Sequence, residues 1–281
     1  MLNINGSTVL HGIIGNPVSH SLSPAMHNAA FSTMGINGVY LPMRVSEVGQ
    51  AIVGLKALGF RGASVTIPHK ETVIPYLDEI DPIAREIGAV NTLVFASGGE
   101  GGPVSVKGLN TDWLGALRAL EQVMSPGGRH VIIAGAGGSA KAVGYGLKKA
   151  GARVTITNRT ESKGRELAGW LEGDFLPPNR LVDMPPADVL INTTSVGMVP
   201  DHGSIIVAPD LLSKFRIVMD IVYAPLETRL LREAKLAGCT TIDGLQMLLH
   251  QGAAQFEIWT GAAAPLEVMR DALERALVVG K

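Results

Sequence analysis

Apolar positions along this chain recur with two periods, and the two periods alternate. Short apolar runs of the kind buried in a sheet fall at 9–15, 39–45, 61–67, 89–96 and 104–109. Among them, apolar residues at helical spacing cover 24–34, 48–58 and 69–88, the last expected to break near Pro82. A helix over 112–123 leads into a second alternating block. It has strands at 130–134, 152–158, 188–192, 217–222 and 239–242, and helices at 139–149, 161–171 and 226–237. In the helix at 226–237, Leu226, Leu230, Leu231 and Ala234 share a face, with Arg229, Arg232 and Glu233 on the other. Two helices, 245–260 and 265–278, end the pattern, the second with a stripe of Leu266, Met269, Leu273, Ala276 and Leu277.

Alternation of this kind predicts an α/β fold with parallel sheets covered on both faces. A length of 281 residues suits two domains, at roughly 150 residues each. The segment Ser97-Gly98-Gly99-Glu100-Gly101-Gly102-Pro103 is a linker or a hairpin loop, and the strand-like runs on both sides favour the hairpin. No short-period repeat is present.

Composition narrows the classes. Lys and Arg number 24 against 25 Asp and Glu, a net charge of -1. That balance predicts no nucleic-acid surface and no polybasic membrane patch. The single cysteine, Cys239, excludes an internal disulfide and any multi-cysteine metal site. Residues 1–43 hold no Asp, Glu, Lys or Arg, yet they lack both a basic stretch and an unbroken apolar one. A soluble cytoplasmic protein is expected. The sequons at Asn5, Asn158 and Asn192 are chance matches in that setting.

The strongest local signal is Gly135-Ala136-Gly137-Gly138-Ser139-Ala140, which follows an apolar strand and opens a helix. In such a turn Gly135 bends the chain, Gly137 admits a pyrophosphate and Ala140 lets the helix pack closely. Strand, turn, helix and strand together point to a dinucleotide-binding (Rossmann) domain. The next strand ends in Asn158-Arg159-Thr160 with Lys163 a turn later, and no carboxylate stands there to hold a ribose 2′-hydroxyl. Arg159 suits a bidentate grip on a 2′-phosphate, so NADP is the expected cofactor. The alternative is a solvated surface arginine.

Four segments of the first block place polar groups at expected strand ends. They are Ser19-His20-Ser21-Leu22-Ser23-Pro24, Ser64-Val65-Thr66-Ile67-Pro68-His69-Lys70, Gly88-Ala89-Val90-Asn91-Thr92 and Asn110-Thr111-Asp112. Taken singly, Ser23 and Asp112 read equally as helix N-caps and Lys70 as a solvated helix residue. Beside a nicotinamide they make chemical sense, because ketone reduction needs a proton donor and Lys70 held by Asp112 would be one. Seven histidines without metal-ligand spacing argue against a zinc dehydrogenase, so no metal is expected. The absence of G-x-S-x-G removes the usual hydrolase signature.

Through these segments the chain resembles the shikimate dehydrogenase family over nearly its whole length. Asn192-Thr193-Thr194-Ser195-Val196-Gly197-Met198, Asp220-Ile221-Val222-Tyr223 and Gly244-Leu245-Gln246-Met247-Leu248-Leu249-His250-Gln251 complete the set. The resemblance implies NADPH-dependent reduction of 3-dehydroshikimate to shikimate, on the route to chorismate and the aromatic amino acids. It implies that Ser21 and Ser23 bind the substrate carboxylate and that Thr66, Asn91 and Gln251 hold ring hydroxyls. Tyr223 would line the pocket, and Lys70 and Asp112 would form the catalytic pair. It also implies a substrate domain of residues 1–110 plus 246–281, an NADP-binding domain of 111–245, and a cleft that closes over both ligands. A small-molecule substrate and a monomer or homodimer are expected.

Two positions depart from the family pattern: Ser64 stands where Asn is frequent, and Trp113 where Gly is. Ser64 shortens a potential hydrogen-bonding arm, and Trp113 is expected to pack on the interdomain helix or narrow the cleft near Asp112. Both leave open a quinate/shikimate dehydrogenase of broader substrate or NAD use. A non-catalytic NADP-binding regulator is opposed by the intact Lys70 and Asp112.

Overall fold

Strand β1 (Val9–Gly15) is buried along its last five residues, His11 among them. A strand covered on both faces belongs inside a sheet. Accordingly, β1 lies between β2 (Gly38–Arg44) and β3 (Gly62–Val65) and is parallel to both. The computed structural model describes residues 4–99, 102 and 104–279. Two units divide the chain, Met1–Thr111 with Gln251–Lys281, and Asp112–His250.

In the first unit the sheet order is β2-β1-β3-β5-β6-β4, completed by β4 (Glu79–Ile80), β5 (Thr92–Ser97) and β6 (Val104–Leu109). This sheet is mixed, not parallel throughout, because β5 runs antiparallel to both β3 and β6. A short loop can join only antiparallel neighbours, and β5 and β6 form the expected hairpin, with Ser97 opposite Val104. Residues 100, 101 and 103 of its loop lie outside the described residues.

The helical stretch expected over 69–88, with a break near Pro82, is instead α3 (His69–Thr72), a 3-10 turn (Ile74–Tyr76), β4, and α4 (Pro82–Ile87). Pro75 is a second breaker beside Pro82, each lacking the amide a helix interior requires. At Pro82 the proline starts a helix rather than ending one: Asp81 caps α4 by accepting from the Ile83 amide at 2.9 Å.

Helices α1 (Ser23–Thr33) and α2 (Val48–Ala57) belong to the same unit, with α10 (Leu266–Val279) packed on α1. The second half of α9 (Gly244–Thr260) brings Trp259 against β3 at Gly62, where a Cβ would lie 2.4 Å from the indole nitrogen. That indole donates to the Leu93 carbonyl at 3.0 Å. His11 and His27 complete the cluster: His27 stacks on Tyr40 at 4.4 Å, and both histidine rings lie 5.3 Å from Trp259.

The second unit holds β12 (Thr240–Ile242), β11 (Phe215–Asp220), β10 (Ala187–Asn192), β7 (His130–Ala134), β8 (Arg153–Thr157) and β9 (Asp174–Phe175), in that order. All its pairings are parallel. The strand order reverses between β7 and β10, which is the doubly wound topology with its ligand crevice at the switch point. Helices α5 (Asp112–Glu121), α6 (Gly138–Lys149), α7 (Glu161–Leu171) and α8 (Arg229–Leu236) belong to this unit. The expected start of α8 at 226 moves to Arg229, because Thr228 accepts from the Leu231 amide and caps the helix. Trp113 packs edge-on against Tyr145 of α6 at 5.7 Å.

Among the described residues no helix is long and apolar enough to cross a membrane. Nor does any group of three or more His, Cys, Asp or Glu there form a metal-holding cluster.

Neither ring nitrogen of His11 or His27 has a hydrogen-bond partner among the described residues. Burial pushes His11 down to about 4 and His27 to about 3, the latter helped by His11 and opposed by the nearby Gln255. The unfolded chain takes up these protons below about pH 6.5 and the native one does not, so stability present above that pH is lost on acidification. The slope is about 1.4 kcal/mol per pH unit for each histidine. Asp220, raised to about 6 by burial, favours the native state in acid and offsets part of this. The unfolding temperature should therefore fall from pH 7.5 to pH 5, and less steeply in His27→Phe. Equal slopes in calorimetric scans of the two proteins would contradict the assignment.

Candidate active site

Strand β5 begins at Thr92, so residues 89–91, expected as strand, form the loop that enters it. Asn91 in that loop is 2% exposed. Its Nδ2 donates to Thr111 Oγ1 at 3.0 Å and to Gln251 Oε1 at 3.3 Å, while its Oδ1 accepts from the Thr111 amide at 2.8 Å and Thr92 Oγ1 at 2.7 Å. One helical turn beyond Gln251, Gln255 Nε2 donates to the Asn91 carbonyl at 3.1 Å and to Thr92 Oγ1 at 2.9 Å. Gln255 Oε1 accepts from Ser64 Oγ at 2.8 Å, and Ser64 accepts from Tyr40 Oη at 2.6 Å.

This continuous ladder uses Ser64, where Asn is frequent in the family, as a link between Tyr40 and Gln255. Tyr40 extends the ladder to Ser23: burial raises the Tyr40 pKa, and hydrogen bonding with Ser64 and Ser23 opposes the rise.

Ser23 is not the N-cap of α1; Leu22 is, and the buried Ser23 stands inside the helix with its amide donating to Ser21 Oγ at 3.3 Å. Thr66 follows β3 and is held by its amide on the Ile14 carbonyl at 2.9 Å. Its methyl packs where a Cβ on Gly15 would sit, within 2.3 Å. Lys70, half-buried on α3, accepts at its carbonyl from the Val90 amide at 2.8 Å, which ties the helix to the loop of Asn91. Asp112 is the buried first residue of α5 and follows Thr111, the residue fixed by Asn91. Of the predicted set in this unit, Asn91 and Gln251 meet directly, Lys70 joins them through backbone, and Ser21 and Ser23 join through the ladder.

In the second unit Gly135 has φ +120, and a Cβ there would lie 2.5 Å from Thr193 Oγ1. Gly137 faces open space, with nothing within 4 Å of a Cβ. Helix α6 begins at Gly138 with no side-chain cap and no acidic residue in its first turn, so its amides are available to an anion. Ala136 and Ser139 are half-buried beside them, and Ala140 is buried against the sheet.

Beyond β8, Asn158 Nδ2 donates to the Thr160 carbonyl at 2.8 Å and shapes the turn that exposes Arg159, Thr160 and Lys163. Neither Arg159 nor Lys163 has an ion-pair or hydrogen-bond partner among the described residues, and the nearby Glu161 is paired with Arg165 at 2.7 Å. Thr157 Oγ1, at the end of β8, is buried without a partner there as well. The residues present therefore fit a dinucleotide carrying an extra phosphate at this tip. Tyr223 lies beyond the end of β11, its hydroxyl pKa raised by burial.

Sequence reasoning missed Tyr40 and Gln255, and it quoted Thr92 and Asp220 within motifs without giving either a role. Gln255 stands four residues after Gln251 and so on the same helix face, a spacing that carried the signal.

Glycine turn, open helix terminus and reversed strand order define the second unit as a Rossmann-type dinucleotide-binding fold. Residues 13–93 match the family described as Shikimate dehydrogenase substrate binding domain, and residues 244–274 the Shikimate 5'-dehydrogenase C-terminal domain. The chain is similar to the shikimate dehydrogenase (NADP(+)) of Moorella thermoacetica, 47% identical over 99% of this chain and 96% of that protein. A crystal structure of a shikimate dehydrogenase in complex with NADP+ superposes with TM-score 0.91 at 42% identity, covering 98% of this chain and 97% of the other. The Thermus thermophilus enzyme, solved with NADP(H) and shikimate, gives 0.87 at 35% identity, covering 96% and 100%. The chain belongs to the shikimate dehydrogenase family.

The two glycines separate strain from access. Gly135→Ala should lose about 3 kcal/mol, from a left-handed backbone and the contact with Thr193. Gly137→Ala should change stability by less than about 0.5 kcal/mol while weakening dinucleotide binding. Thermal unfolding and a binding titration on both variants check this; equal unfolding temperatures would contradict it.

Proposed function

We propose that this chain catalyses the NADPH-dependent, reversible reduction of 3-dehydroshikimate to shikimate, a step of chorismate and aromatic amino-acid biosynthesis. The observation that carries the reading is kinship along the full chain with dehydrogenases named for NADP(+). The free Arg159 and Lys163 at a carboxylate-free strand tip support it. In this reading the first unit receives the substrate and the second holds the cofactor. The protein acts in the cytoplasm as a monomer or homodimer.

NADPH, when bound, supplies a hydride to the ketone carbon. Arg159 and Lys163 would hold the 2′-phosphate, and the amides opening α6 at Gly138 and Ser139 would hold the pyrophosphate. Asn91 and Gln251 present carboxamides that the ladder holds in fixed orientation, so each offers a ring hydroxyl a defined donor or acceptor. Ser21 and Ser23 hydrogen-bond the carboxylate, and Thr66 and Tyr223 line the ring. Lys70 Nζ gives its proton to the oxygen that becomes alkoxide, and solvent restores it. Asp112 is assigned with Lys70 to the catalytic pair.

Loss of NADPH absorbance with 3-dehydroshikimate tests the reading, with NADH and quinate as comparison substrates. Lys70→Ala should lower kcat by about 10²- to 10⁴-fold with KM little changed. A mainly KM effect would recast Lys70 as a binding residue. Arg159→Ala should cut the preference for NADPH over NADH by about tenfold, and an unchanged ratio would remove the phosphate grip.

A further inference from the structure

Asn192 ends β10 and Asp220 ends β11, and the two residues are direct neighbours in the parallel register. Their side chains meet for that reason: Asn192 Nδ2 donates to Asp220 Oδ1 at 2.9 Å. The same Oδ1 accepts from the Val222 amide at 3.0 Å, and Oδ2 accepts from Thr228 Oγ1 at 2.7 Å. Asp220 is 0% exposed, and no ion pair involves it among the described residues. Removing a carboxylate from water without a cation is costly, and these three donors offset that cost.

What those donors belong to gives the arrangement its consequence. Val222 and Thr228 bracket the segment that carries Tyr223, and Thr228 also caps α8. On the other strand, Asn192 Oδ1 accepts from the Thr194 amide at 3.0 Å and Thr194 Oγ1 at 2.7 Å, and its Nδ2 reaches the Val196 carbonyl at 3.2 Å. Between them Thr193 donates from its amide, at 2.9 Å, and its hydroxyl, at 2.7 Å, to the carbonyl of Ala134, the residue before Gly135. An unbroken line of bonded groups thus runs from the Gly135 turn through Thr193 and Asn192 to Asp220, and on to both sides of Tyr223.

We propose that Asp220 is a positioning residue for cofactor and substrate. Its carboxylate registers the 193–198 loop, which packs on the glycine turn, against the 221–228 loop, which presents Tyr223. This rests on the oxidoreductase reading and extends it to a residue outside the assigned cofactor and substrate sets.

Asp220→Asn removes the charge at constant shape. Thr228→Val removes one donor, and Thr228→Ser is its rescue, so the Thr228 pair decides the matter if Asp220→Asn does not fold. Amide hydrogen exchange without cofactor should speed up about tenfold in 193–198 and 221–228 while β7 and β8 keep wild-type protection. At temperatures well below unfolding, the NADPH dissociation constant and the KM for shikimate should each rise about tenfold, and Thr228→Ser should restore both. Faster exchange spread over the whole unit, with wild-type NADPH affinity, kcat and KM, would overturn the proposal and leave Asp220 a packing residue. Wild-type protein that binds no NADPH would defeat the functional reading separately. Loop exchange would then still decide whether Asp220 registers the two loops.

Discussion

A carboxamide taken out of water must have its donors and acceptors met by the protein, and Asn91 imposes that constraint on the first unit. With 2% of its surface exposed it leaves little to solvent. Its partners, Thr92, Thr111 and Gln251, come from β5, from the end of β6 and from α9. Each unmet group would cost about 1–3 kcal/mol, so these segments are held at one distance from one another. The path of α9 over the sheet follows, and so does the need for glycine at position 62, since Trp259 on that helix leaves no room for a Cβ.

A second hub of the same kind operates at the ends of β10 and β11. In both units a buried polar side chain at a strand end ties together the loops that meet there. Sheet cores hold the strands in place, as with Ile132, Ile156 and Leu190, all at zero exposure. Hubs of polar bonds then set what the loops present. The chemistry expected of this family needs fixed donors more than it needs apolar surface, and this division of labour supplies them.

The legible part of the fold is the part governed by local pattern. β7 and α7 stand where apolar period and flanking residues place them, because a long buried strand and an amphipathic helix each carry their own signal. The two-residue strands β4 and β9 have no period to read, and they exist only because a neighbour offers an edge. The antiparallel course of β5 was hidden likewise: composition marks a strand, whereas direction depends on the connection. In the site, Gly135, Arg159 and Asn91 announced themselves through motif and resemblance. Gln255 and Tyr40 did not, since Ser64 meets them across 191 and 24 positions of sequence.

A net charge of -1 describes a chain with no overall attraction for anions, yet whole-chain charge averages over distances that screening erases. Beyond about 8 Å at physiological salt, exposed charges hardly register. What an anion meets at the second unit's switch point is local: uncapped amides opening α6, an exposed Arg159 and Lys163 without acidic partners among the described residues, and Glu161 already neutralised by Arg165. Among the described residues Arg159 and Lys163 thus stand unpaired at one strand tip, whereas other cations of the unit are paired, as in Lys148 with Glu172 and Lys235 with Glu227. Exposed pairs of that kind contribute little stability, about 0–1 kcal/mol each. At the strand tip, by contrast, no acidic partner among the described residues competes with an incoming phosphate for Arg159 and Lys163.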